Sequence, residues 1–177
     1  MYDTLTGIWW LWYGISMSRG KEFHYTKDSM VKRLVGLLEG WGLVPGCSIL
    51  DAGSGLNKVW YGNLPANYRK YECEVDDGCN FYKWDREVDW VVGNPPFHEG
   101  WKFVDKATDV ANCGVAFLGN INFWNCLTPN RLERVREKGF RIERIHVVMD
   151  KRWFGRYYFI VFRMGGGEFI SWDKAPY

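Results

Sequence analysis

Apolar positions recur along this chain with two different periods, and the alternation between them predicts its elements. Met30, Leu34, Leu37 and Leu38 return at three- and four-residue intervals, which predicts a helix capped by Thr26 or Asp28 and running to about Trp41. Gly42 and then Pro45-Gly46 end it. Short runs of strand length follow at Ser48–Asp51, Tyr68–Glu74, Val88–Gly93 and Gly114–Leu118, all but the charged Tyr68–Glu74 apolar. Helical patterns lie between them at about Glu99–Val110 and Pro129–Lys138. Two longer strands, Arg141–Met149 and Arg156–Arg163, close the pattern.

Strands alternating with helices predict an α/β protein with a mostly parallel sheet. The last two strands are too close in sequence for a parallel crossover, so they are predicted to form an antiparallel hairpin. With 177 residues there is room for a single domain. No run of about 18 apolar residues is present, so no membrane span is predicted. Ile8 to Tyr13 is apolar but short and lacks a preceding basic region, which disfavours a signal peptide. Residues 1–22 are therefore expected to be an aromatic arm, and 23–177 the domain.

Composition changes the picture in three places. Aromatic residues make up 18% of the chain, including 11 Trp, which suits a dense core and leaves some rings for stacking on a planar ligand. Net charge is only +2, but residues 131–163 hold ten Lys or Arg against four acids, an excess suited to a surface that meets phosphates. The five cysteines form no CxxC pair, so they read as buried thiols of a reducing, cytoplasmic compartment, and neither a disulfide frame nor a metal site is expected.

The candidate chemistry falls at predicted strand ends, where ligands bind in open α/β sheets. Asp51-Ala52-Gly53-Ser54-Gly55 follows the first strand, and its glycines permit a tight turn close to a ligand. Glu74 ends the second strand, where a carboxylate can accept from ribose hydroxyls. Asn80-Phe81 offers an amide for an adenine edge and a ring for its face.

Asn94-Pro95-Pro96-Phe97 ends the third strand. Its two prolines fix φ twice and remove two N–H donors, so the loop's carbonyls lack local partners. The Asn94 side-chain oxygen and the Pro95 carbonyl could together grip both hydrogens of an amino group. Such acceptors favour a tetrahedral nitrogen and take up its developing positive charge. Phe97 would stack on the base. Further on, Lys151, Arg152, Trp153, Phe154 and Arg156 mix cations with rings, a combination that holds phosphates and a splayed-out base.

Together these residues resemble the N6-adenine branch of the class I S-adenosylmethionine-dependent methyltransferases, over about Tyr25 to Arg163. The resemblance implies a Rossmann-like sheet with S-adenosylmethionine as cofactor. Thr26, Asp51, Gly53, Gly55, Glu74, Asn80 and Phe81 would bind it. Asn94 to Phe97 would be catalytic, and Trp153 or Phe154 would hold the flipped base. Lys27 stands where the family usually has Pro, Asn57 at the third glycine of the loop, and Asn80 at an Asp. Val88 follows Glu74 by only 14 positions, an interval that predicts a sheet trimmed around its third strand.

The implied reaction is methylation of adenine N6 in DNA, with RNA as the alternative substrate. A protein glutamine methyltransferase and a non-catalytic nucleic-acid-binding subunit fit less well. No separate target-recognition domain is visible, so a second copy of the chain or a partner subunit is expected to supply recognition.

Overall fold

The computed structural model describes residues 26–150, 156–167 and 169–170. The expected aromatic arm and the turn 151–155 lie outside them.

Helix α1 (Asp28–Gly40) leads into β1 (Ser48–Ala52), and a short α2 (Val59–Asn63) precedes β2 (Arg69–Cys73). Strand β3 (Val88–Gly93) is followed by α3 (Gly100–Val110) and β4 (Ala111–Asn120). Then come α4 (Ile121–Asn125), α5 (Pro129–Glu137), β5 (Phe140–Val148) and β6 (Tyr157–Met164). The six strands form one sheet in the order β2-β1-β3-β4-β6-β5. β2, β1, β3 and β4 run parallel, and β6 pairs antiparallel with both β4 and β5. The predicted architecture is therefore the observed one.

Both faces of the sheet are covered, which explains why β1 is buried at every position. Phe159 of β6 stacks under Trp41 and Trp60 on the face of α1 and α2. Phe117 of β4 meets Phe103 of α3 and Phe123 of α4 edge-on, on the opposite face. Most described aromatics are spent in this core, among them Trp90, Phe140 and Phe162. Gly114 admits the Trp90 indole, which a Cβ at that position would strike.

The trimmed edge is clear at β2. Between Glu74 and Val88 lie two single 3-10 turns, Val75–Asp77 and Phe81–Lys83, and no strand. Trp84 and Arg86 of this segment pack instead against Tyr71 of β2, with ring centroids 6.1 Å apart and the guanidinium 5.8 Å from the Tyr71 ring.

Several local expectations need correction. Neither Thr26 nor Asp28 caps α1: Lys27 is the N-cap residue and no side chain caps the helix. The buried stripe is Val31, Leu34, Val35 and Leu38, because α1 is rotated to bring Val31 and Val35 onto the sheet and leaves Met30 and Leu37 at its margin. Strand β4 extends well beyond Gly114–Leu118, since its antiparallel ladder with β6 runs out to Asn120. Helices α2 and α4, five residues each, are too short to show a period.

Two cysteines also depart from expectation. Cys73 and Cys79 form a disulfide, with their Cα atoms 5.1 Å apart. The turn after β2, with Gly78 at φ 85°, reverses the chain and returns Cys79 to Cys73, a proximity that a six-residue separation does not announce. Cys47, Cys113 and Cys126 are free thiols, and burial pushes the Cys113 and Cys126 thiols up from their ordinary range.

Candidate functional site

The sheet's strand order reverses at β1, whose neighbours β2 and β3 lead away in opposite directions. A crevice forms outside the carboxyl ends of such strands. Here a cavity of about 410 Å3 opens there. Its walls contain Thr26, Gly53, Gly55, Glu74, Asn80, Phe81 and all of Asn94 to Phe97. Ten of the residues singled out in the sequence thus share one cavity.

The floor is the loop after β1. Gly53 and Gly55 take φ 67° and 66°, a left-handed backbone that side chains resist. At Gly53 a Cβ would come within 3.3 Å of the Phe103 ring, itself 5.1 Å from Phe81. Glu74 secures the loop from the side, its Oε2 accepting from the Gly55 amide at 2.7 Å and its Oε1 from the Asp76 amide at 3.4 Å. Next to it Ser54 donates to Glu72 at 3.1 Å. Lys58, held at φ 46°, pairs with Glu72 and with Asp77 at 2.9 Å.

Asp51 does not line the cavity. It is fully buried beneath the loop, where Oδ2 accepts from the Tyr61 amide at 2.9 Å and so anchors the start of α2. Its Oδ1 is buried without a hydrogen-bond partner. Burial pushes its carboxyl up to about 7; the Tyr61 bond opposes the rise, and Glu72 and Glu74 add to it. Asp51 is therefore a positioning residue, and direct ligand contact is the wrong role for it.

The far wall is the Asn94-Pro95-Pro96-Phe97 loop. Gly93 just before it has φ 154°, and a Cβ there would stand 2.7 Å from the Ala52 carbonyl. That close approach sets the loop against the end of β1. Asn94 Nδ2 donates to Thr26 Oγ1 at 3.2 Å, and Oδ1, the amide's acceptor atom, is buried. The bond joins the start of α1 to the end of β3, residues 68 apart in sequence. Phe97 is 6% exposed and meets Tyr157 edge-on at 5.9 Å.

Three wall residues carry no signal of their own in the sequence. Trp60 lines the cavity and stacks on Phe159 at 5.7 Å. Tyr82 follows the Asn80-Phe81 pair and donates its hydroxyl to Glu99 Oε2 at 2.8 Å, bridging the two sides of the mouth. That bond, with Lys102 at 3.3 Å, holds the Glu99 carboxyl below its usual range. Proximity to the two motifs is the one hint that could have flagged Tyr82 and Glu99. Asn80 Oδ1 accepts from the Tyr82 amide at 2.9 Å and keeps a second lone pair for a ligand.

The remaining expected substrate residues fare differently. Lys151, Arg152, Trp153 and Phe154 lie outside the described residues. Arg156 is exposed at the start of β6. Part of the basic excess at 131–163 is engaged in contacts within the chain. Arg134 and Lys138 pair with Asp105 at 3.1 and 2.7 Å, Arg136 with Glu133 at 3.2 Å, and Arg163 lies over the Trp90 ring at 5.1 Å. These contacts engage Arg134, Arg136, Lys138 and Arg163, four of the ten cations in that stretch.

No group of three or more His, Cys, Asp or Glu able to hold a metal occurs among the described residues. Nor, among them, is any helix long and apolar enough to cross a membrane.

No protein-family model matches the chain, and no curated protein matches it. Solved structures do. The magnesium protoporphyrin IX methyltransferase of Synechocystis, crystallised with bound SAH, superposes with a TM-score of 0.57 at 13% identity, covering 77% of this chain and 82% of that one. The precorrin-6y C5,15-methyltransferase of Geobacter metallireducens gives 0.57 at 15% identity, covering 80% and 90%. A TehB-like SAM-dependent methyltransferase of Corynebacterium glutamicum gives 0.53 at 12% identity, covering 76% and 86%. Identities this low speak for architecture alone. With the strand order and the antiparallel β6, they establish that this chain has the class I methyltransferase fold.

Proposed function

We propose that this protein transfers a methyl group from S-adenosylmethionine to the N6 amino nitrogen of adenine in a nucleic acid, DNA being the preferred substrate. The observation that carries the reading is the convergence of the glycine loop, Glu74 and Asn80-Phe81 with Asn94 to Phe97 around one cavity. Its volume of about 410 Å3 falls within the range of roughly 300–1,000 Å3 usual for small-molecule sites.

The residues present suit the cofactor. Gly53 and Gly55 bring bare backbone to the cavity, Glu74 supplies a carboxylate for ribose hydroxyls, and Asn80 and Phe81 supply an amide and a ring for an adenine. When bound, S-adenosylmethionine supplies a sulfonium methyl that passes to nitrogen as the carbon–sulfur bond breaks, leaving a neutral thioether and releasing one amino proton.

The chain's own contribution is orientation and charge stabilisation. Thr26 holds the Asn94 amide by its nitrogen, so the Asn94 carbonyl oxygen and the Pro95 carbonyl act as acceptors for the amino hydrogens. Phe97 forms an apolar wall for the base, fixed by its edge contact with Tyr157. Positioning of this kind supplies a large part of catalysis in direct displacement. Recognition of the target rests on loops at the cavity mouth, on a second copy of the chain or on a partner subunit.

The test is methyl transfer from labelled S-adenosylmethionine to matched double-stranded DNA, single-stranded DNA, structured RNA and protein extract, followed by nucleoside analysis. N6-methyladenine in DNA is the expected product. The same nucleoside in RNA alone would move the assignment to the RNA alternative, and methylated glutamine would reject the nucleic-acid reading.

A further inference from the structure

A second cleft, of about 370 Å3, lies beside the first. Lys27, Ser29 and Arg33 from the start of α1 form one side of it, and His146 and Asp150 from β5 and its end form the other. Thr26 lines the first cavity and Lys27 the second, so consecutive residues of the chain line the two.

The charge of this cleft differs from that of the α5 region. Lys27 and Arg33 are both exposed and form no ion pair among the described residues, whereas Arg134, Arg136 and Lys138 are paired with Asp105 or Glu133. Asp150 is the single carboxylate in the lining. His146 is half-buried, its ring 6.2 Å from that of Trp41. Burial and then the Arg33 guanidinium hold it below the ordinary imidazole range, so at neutral pH it offers one N–H to an acceptor. No side chain caps the first turn of α1 beside them.

We infer that this cleft binds a backbone phosphate of the nucleic-acid substrate next to the nucleotide whose base enters the first cavity. Lys27 and Arg33 supply the charge, with His146 and Ser29 as neutral hydrogen-bond partners. A phosphodiester is a monoanion of modest size, and two unpaired cations beside one carboxylate leave a net attraction for it. This inference rests on the nucleic-acid reading of the first cavity.

The test compares the wild type with a Lys27→Gln, Arg33→Gln double variant. Its probes are fluorescein-labelled single strands of matched adenine-containing sequence, in DNA and in RNA. Binding is followed across KCl from about 50 to about 200 mM. The double variant should bind the substrate strand about tenfold more weakly and lose roughly 0.7 from its salt slope, the value for one phosphate contact on a single strand. Its KM for the strand should rise while kcat at saturation stays within about twofold. Arg33→Lys should restore most of the affinity, and Lys32→Gln, on another face of α1, should change nothing. Unaltered S-adenosylhomocysteine affinity in the variants confirms an intact first cavity.

If the wild type methylates adenine and the double variant keeps the same KM and salt slope, the phosphate site is wrong and the function stands. If the wild type neither binds nor methylates any nucleic acid, both are wrong.

Discussion

At the scale of single residues, the site divides into groups that touch a ligand and groups that hold others in place. Asn94 is proposed for the first kind: it lines the cavity and its amide nitrogen is held by Thr26. Asn94→Ala should lower kcat by about 100- to 1,000-fold, the usual cost of one electrostatic partner in a transition state. Calorimetry should find its S-adenosylhomocysteine affinity near that of the wild type. A variant that turned over normally would remove the loop from catalysis.

Glu74 does two things at once, holding the Gly55 amide and facing the cavity. Glu74→Ala is expected to raise the cofactor dissociation constant by about tenfold or more, since hydrogen bonds to a charged group contribute roughly 1.5–3 kcal/mol. Glu74→Gln, which keeps one acceptor oxygen, should lie between the two. Equal affinity in all three proteins would reject the ribose role.

Asp51 is of the second kind, and its effect is on stability. Its carboxyl is at about 7 in the folded chain against an ordinary 3.8, so the folded state binds the proton more tightly than the unfolded one. The associated stability is complete below about 3.8 and drains away as pH rises toward about 7. At about 1.4 kcal/mol per unit, the loss is on the order of a few kcal/mol. Thermal unfolding from pH 5 to pH 8 should therefore show a falling midpoint, and Asp51→Asn should flatten that fall. A wild-type midpoint independent of pH over this range would contradict the burial argument.

At the scale of elements, the register of β1 against β3 decides where the Asn94–Phe97 loop stands. Ser48 and Asp89 lock the two strands at one end, with Ser48 N and Oγ donating to Asp89 Oδ2 at 2.7 and 2.8 Å. At the other end Gly93 lets the backbone pass close to the Ala52 carbonyl. Gly93→Ala combines an unfavourable φ of 154° with a contact of 2.7 Å to backbone. It should cost on the order of 2–3 kcal/mol, read as a lower denaturant midpoint at unchanged slope. The same displacement should reduce methyl transfer even where the variant remains folded.

Much of this element scale was legible in advance. The strands at Ser48 and Val88 are short apolar runs closed by turn residues, and the two final strands are too close for a crossover. The short interval after Glu74 likewise signalled the missing strand. The cap of α1 was not legible, because Thr26 is the better capping residue in isolation and in the fold its hydroxyl is engaged with Asn94. Burial at Val31 and Val35 escaped for a related reason: several apolar faces compete along α1, and only the sheet chooses between them.

At the scale of the whole molecule, charge is the informative quantity. A count along the sequence assigned the phosphate surface to residues 131–163, yet Arg134 and Lys138 converge on Asp105 of α3. Lys138→Gln is accordingly expected to lower stability by up to about 1 kcal/mol and to leave oligonucleotide affinity within about twofold. A large loss of affinity with unchanged stability would return this face to the nucleic acid. Lys27 and Arg33, which form no ion pair among the described residues, sit instead at the start of α1, where the sequence carries no such excess.

By itself the sequence determined the α/β class, the antiparallel close of the sheet, the trimmed edge and ten of the cavity's wall residues, because each depends on local period, turn chemistry or strand-end position. What only the tertiary structure decided depends on contacts between distant segments. It joined Asn94 to Thr26, drew Asp51 under the loop, closed Cys73 on Cys79 and paired Lys138 with Asp105. Hydrogen bonds, a disulfide and ion pairs act over a few ångströms in space, and a linear pattern carries no record of which remote groups folding will bring within that reach.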